Sequence, residues 1–288
     1  MSALARFRRR PLRDRVFVGV AVGAVALPLG VLALLFGVVA VRGIGRLDWQ
    51  FFTSVPSRYA DQAGLLPALA GSALLVLLVA VLAVPVGVGA AVYFEEYGHD
   101  SRLARLLELN VKNLAGVPSV VYGVLGLGVF VRALDMGRSL IAGAATLSLL
   151  VLPIVIVASR EALRTVPHTY REAGLALGAT RWRTTWSVVL PAALPGVATS
   201  VILALSRALG ETAPLVVVGA LTYVTFLPDG IDAPYTALPI QIWSWVSRPQ
   251  PEFIVNAAAG VVVLLGLLAV TNLAVVILRD RAQKRVAM

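Results

Sequence analysis

Two ionisable residues stand inside an otherwise apolar stretch, and their chemistry most needs explaining. Arg207 and Glu211 lie within residues 197–224. Four residues apart on a helix, they share one face, about a turn from each other. A charge at the centre of a bilayer costs roughly 2.5–3.5 kcal/mol on insertion scales, so two in one stretch need a reason. As a bare pair they would neutralise each other and help to pack helices. As a site they suit an oxyanion. The guanidinium is always charged, and its planar fork donates two parallel hydrogen bonds to two oxygens of a phosphate group. Glu211 would orient that fork. It would also accept a hydrogen bond from the proton of hydrogenphosphate, which sulfate at neutral pH lacks, and it would keep the anion from binding too tightly to leave. Gly210 and Pro214 weaken a helix here and free backbone groups to line a path.

A second stretch carries a spacing rather than a reaction. Glu172, Ala173, Gly174, Leu175, Ala176, Leu177 and Gly178 follow Pro167, which is tolerated at a helix start. They predict a short helix between two apolar runs. Small residues at Ala173, Gly174 and Gly178 would give it a thin face able to sit close in another protein's groove. Arg181, Trp182 and Arg183 add a basic, aromatic flank of the kind enriched at interfaces. Pro191 and Pro195 predict a break or kink at the start of the next apolar run.

The elements that must position these residues are membrane helices. Of the 288 residues 59% are hydrophobic and 14% charged, with no cysteine and two histidines. That excludes a disulfide framework and a thiolate metal site. A membrane helix needs about 20 apolar residues, and six stretches qualify: 16–41, 66–94, 113–134, 140–159, 190–221 and 254–278. Pro28 predicts an interruption of the first, which is also too long for the apolar core of a cleavable signal.

The net charge of +10 could suggest nucleic acid. Instead the basic residues sit at the ends of the apolar runs and act as topology signals. Eighteen of the 25 lie at the two termini and in the loops after spans two and four, against six in the alternate loops. Both termini are therefore expected in the cytoplasm. Trp49, Phe51, Phe52, Trp243 and Trp245 fall in the outer segments and predict rings at the headgroup layer.

The stretch with Glu172, Ala173, Gly178, Val188, Leu190 and Pro191 resembles the cytoplasmic motif of bacterial ABC importer permeases, with Gly174 where that family prefers alanine. The resemblance implies an all-α integral membrane protein of six transmembrane helices: a permease core of five (66–288, with a coupling loop at 160–189) plus one N-terminal helix (1–65). It implies that Glu172, Ala173, Gly174 and Gly178 contact a separate ABC ATPase subunit. ATP and magnesium would then be bound by that partner, and this chain would hold no cofactor. Its own lysines, Lys112 and Lys284, precede Asn113 and Arg285, so neither belongs to a phosphate-binding Gly-Lys-Ser/Thr loop.

The stretch 206–215 is similar to that of phosphate importer permeases of the A type, as are 238–242 and 247–250. That similarity implies a second permease of the C type, an external phosphate-binding protein, and a multi-pass place in the bacterial inner membrane among lipid. It carries substrate-path roles onto Arg207 and Glu211. It also suggests a further arginine near the end of span four, Arg160, although Val157 can align there instead and Arg160 can equally be the first charge after the span. Permeases for phosphonate, molybdate or sulfate, and a passive channel or ion-coupled carrier, stand as the alternatives. Asn113, Gly116, Pro118, Ser119, Tyr122, Gly123, Gly126 and Gly128 make span three rich in small residues, suited to close packing. Glu95, Glu96 and His99 read as solvated charges at a helix end.

Overall fold

The computed structural model of the chain describes residues 12–98 and 102–286. Among them there are helices and connections and no strand. Five helices are long and apolar enough to cross a membrane: Val16–Arg46, Leu66–Tyr97, Leu140–Arg164, Arg181–Gly210 and Phe253–Leu273. A sixth crossing exists only as a bent pair, Arg105–Leu114 and Ser119–Ala133, which meet at 102°. His99 and the N-terminal Arg6, Arg8, Arg9 and Arg10 lie outside the described residues.

The first helix, α1 (Leu12–Gly43), runs unbroken through Pro28, which corrects the expected interruption. A proline deletes one backbone hydrogen bond, and a membrane helix tolerates that loss by local adjustment. After a short turn and α2 (Trp49–Thr53), α3 (Leu66–Val92) forms the second span and ends in a π-helical turn, Tyr93–Tyr97. α1 packs on the last helix, and the rest of the bundle assembles without it.

The third span departs from its expected start at residue 113. Helix α4 (Arg102–Leu114) stops before a turn, and α5 (Ser119–Gly126) begins only after Pro118, continuing as a π-helical stretch to Ala133. Pro118 has no N–H and pushes the residue before it out of the helical region. Arg102, Arg105, Glu108 and Lys112 recur at the spacing of one helix face, giving α4 a polar side. The crossing from 119 to 133 is roughly 22 Å long at 1.5 Å per residue, short of a full bilayer.

Span four is α6 (Leu140–Arg164), followed by α7 (His168–Ala176) and α8 (Arg181–Thr184). A π-helical turn, Thr185–Val189, joins α8 to α9 (Leu190–Gly210), so that span five starts at Arg181 and passes Pro191 without a break. The wider turn ahead of Pro191 relieves its ring from the carbonyl four residues back. The real break comes at the other end. α9 stops at Gly210, Glu211 is extended (φ −75°, ψ 125°), and α10 (Ala213–Val218) starts afresh with Pro214 in its first turn. A continuous helix would set the Pro214 ring against the Gly210 carbonyl.

Residues 219–237 then dip back into the bundle, where Tyr235 and Thr236 are buried and Leu140 and Ile141 donate backbone hydrogen bonds to Ala233 and Ile231. α11 (Leu238–Val246) leads to α12 (Phe253–Val286). Two aromatic residues expected at the headgroup layer are core instead. Phe51 and Trp245 are fully buried with ring centroids 5.7 Å apart, whereas Trp49 and Trp243 stay exposed.

The apolar core forms three tiers. Phe51, Leu65, Trp245 and Phe253 close the α11 end; Val79, Leu147, Val151, Ala204 and Leu215 fill the middle; Ala91, Leu163, Val189 and Ala193 close the α7 end. The break in span five is covered by the short third span. A β-carbon on Gly123 would lie 2.8 Å from the Pro214 Cα, a contact only glycine permits. Gly123→Leu should therefore cost about 1–3 kcal/mol by overpacking and lower the thermal unfolding midpoint in detergent. Gly128→Leu should leave the midpoint in place, because a side chain there meets open space.

Candidate functional site

The α7 segment is exposed on one side and tied down on the other. Glu172, Ala173, Ala176 and Leu177 face outward, Leu177 at 89% exposure. Tyr170, Leu175, Trp182 and Trp186 are also exposed, with the two indole rings 5.2 Å apart. An exposed aromatic and aliphatic patch of this kind is suited to a protein contact or to the membrane surface.

The two glycines expected to thin this face do other work. Gly174 turns inward, and a β-carbon there would lie 2.7 Å from Thr184 Cγ2. Gly178 lies past the end of α7 with φ +78°. Its N–H bonds the Leu175 carbonyl at 2.9 Å, and the Ala179 N–H bonds the Gly174 carbonyl at 3.1 Å. That pair of bonds is the Schellman stop, which requires a left-handed residue at the first position beyond the helix. Glycine adopts it without a Cβ penalty.

Beneath α7 lies a charge cluster in place of the solvated charges expected at this helix end. Glu95 is buried, and Glu96 largely so, in the π-helical turn closing span two. Glu95 accepts from Arg160 Nε at 2.8 Å and Arg164 Nε at 3.0 Å. Arg160 also pairs with Glu108 on α4, whose second oxygen is held by Lys112. The arginine suggested for the substrate path is thus committed to two carboxylates. It is also distant from Arg207. Gly196 packs on Ala162, which puts Arg160 and Arg207 roughly 15 Å apart along the bundle.

Arg207 and Glu211 do meet. Arg207 Nε lies 3.2 Å from Glu211 Oε1, the arginine side chain 46% exposed and the glutamate 17%. The arginine occupies the last turn of α9, the negative end of the helix dipole. Glu211 sits in the extended link to α10. Beside them Ser206 Oγ donates to Asn272 Oδ1 of α12 at 2.7 Å. The result is a polar strip within a span, with a half-open guanidinium steadied by one carboxylate at the point where the helix breaks.

The sequence profile of the family described as "Binding-protein-dependent transport system inner membrane component" matches residues 83–288. The chain belongs to this family. Among its relatives, the permease is 34% identical over 260 residues to "Phosphate transport system permease protein PstA 1" of Mycobacterium tuberculosis (strain CDC 1551 / Oshkosh), covering 88% of this chain and 84% of that protein. It is 33% identical over 261 residues to "Phosphate transport system permease protein PstA" of Yersinia pestis, covering 85% and 88%. It is 30% identical over 269 residues to "Probable ABC transporter permease protein YqgI" of Bacillus subtilis (strain 168), covering 88% and 92%. Among solved structures, a chain of the MetNI methionine ABC transporter in an inward-facing conformation shares the fold, with a TM-score of 0.60 at 21% identity over 75% of this chain and 94% of that one. The matched residues begin inside α3, so α1 and α2 of the permease stand outside the family profile.

The two readings of Gly178 separate by experiment. If a thin docking face were the constraint, any side chain would harm. The φ of +78° means instead that Gly178→Asn should be tolerated, because asparagine visits the left-handed region readily. Gly178→Val should lower stability by about 1–3 kcal/mol, read as a fall in the thermal unfolding midpoint of the purified permease.

Proposed function

We propose that this permease is the A-type membrane subunit of an ATP-driven phosphate importer, forming half of the translocation path beside a second, C-type permease subunit. A binding protein loaded with phosphate would dock at the α11 end, outside the cell. A separate ATPase would contact the exposed side of α7, chiefly Glu172, Ala173 and Leu177, with Gly174 and Gly178 shaping that helix rather than touching the partner. This orientation follows from the bias of basic residues, which places both termini in the cytoplasm. ATP and magnesium belong to the ATPase in this scheme. Lipid would cover the apolar surface of α1, where Phe17, Leu27 and Leu34 stand exposed.

The observation that carries the reading is the Arg207 guanidinium, half open at the interruption of span five and held along one edge by Glu211. Its remaining donors suit the oxygens of a tetrahedral anion. Phosphate entering a cell that is negative inside moves against the potential, about 2.3 kcal/mol per charge per 100 mV, so import needs an external energy source. The relatives named as phosphate permeases support the choice of anion. Glu211, as an acceptor for the proton of hydrogenphosphate, supports it against sulfate.

The test is uptake of radiolabelled phosphate by the assembled transporter in vesicles. Arg207→Ala should reduce uptake to background while the ATPase still co-purifies. Normal uptake by the variant would contradict the site.

A further inference from the structure

The outer side of α7 has a proposed partner, but its inner side must pass movement on. α7 contains no buried residue, so apolar packing does not set its angle. A cavity of about 250 Å³, bordered by Glu96, His168, Arg171 and Arg181, opens beside it. Two attachments hold the helix. One is Gly174 against Thr184.

The other is Arg171. Its Nη2 and Nε lie 2.7 and 3.1 Å from Glu96 Oε1, with Nε 3.2 Å from Oε2. Nη1 donates to the Val166 carbonyl at 2.8 Å and Nη2 to the Leu163 carbonyl at 3.1 Å. Leu163 belongs to the last turn of span four, Val166 lies just beyond it, and Glu96 closes span two. One guanidinium thus joins α7 to the ends of two spans. The side chains are 16% and 9% exposed, largely out of reach of competing water.

We propose that Arg171 and Glu96 are positioning residues that make α7 and the α7-side ends of spans two and four move as one body, so that a displacement of α7 reaches both spans. This rests on the reading of α7 as the ATPase contact. A fork bonded to a carboxylate and two carbonyls resists both rotation and withdrawal, whereas a lysine at this place would keep the charge and lose the fork.

The experiment uses the complete transporter in vesicles and measures phosphate taken up per ATP hydrolysed. Glu96→Gln and Arg171→Gln should each lower that ratio about tenfold with the ATPase still bound. The double variant should be no worse than either single one, because both act through one contact. Arg171→Lys should fall between. A single substitution leaves a buried charge unpaired and can fail to assemble; the double variant leaves none and then decides the matter. A double variant whose ratio stays within about twofold of the unmodified transporter overturns the proposal, since residues in one network couple by more than that. So does a double variant that loses the ATPase, which would make the contact a brace for docking. If the unmodified permease retains no ATPase, the functional reading itself fails and this inference with it.

Discussion

A chain cannot leave its helix inside a bilayer unless other protein or a water-filled path takes up its hydrogen bonds. The break between α9 and α10 sets that condition for this molecule, and neighbouring elements pack around it. α5 closes over Pro214 through Gly123, and residues 219–237 fold back against α6 and supply carbonyls to the start of that helix. Only with the break covered can Arg207 and Glu211 stand at its edge and leave the guanidinium open on one side. The short third span and the re-entrant loop therefore frame the proposed site, although neither contributes the charged pair.

The α7 end follows a different physical rule. Here charges are grouped: Glu95 with Arg160 and Arg164, Glu108 with Arg160 and Lys112, Glu96 with Arg171, with Arg164 and Lys112 still reaching water. Buried ions survive when paired and hydrogen-bonded on several sides, and each of these glutamates is. The clusters bind α3, α4, α6 and α7 together where apolar contact is thin. They also explain why the basic residues that mark topology in the sequence are structural once folded.

Much of this was legible beforehand for identifiable reasons. Spans are read from uninterrupted apolar length, and the bilayer demands nothing subtler. The break near Gly210 and Pro214 was visible because proline acts through the carbonyl four residues back. Pro28 and Pro191 show the limit of the same rule, since a helix can continue through a missing bond or widen ahead of it. Charge pairing was hidden because Arg160 and Glu95 are 65 residues apart, and acidic residues at a helix end look the same solvated or paired. Gly174 and Gly178 both read as small, yet one is small to fit Thr184 and the other to reach a positive φ. Phe51 and Trp245 have the composition of headgroup anchors, and only tertiary contact makes them core.

The proposed path requires Arg207 to face water within the span. The chain has no cysteine, so Arg207→Cys gives a single reactive thiol in this subunit, and the assembled transporter can be challenged with a charged, membrane-impermeant thiol reagent. The thiol at that position should be modified at a rate far above that of Leu27→Cys on the exposed apolar surface of α1. Labelling of position 207 by lipid-soluble reagents alone would place the guanidinium against the bilayer and contradict it.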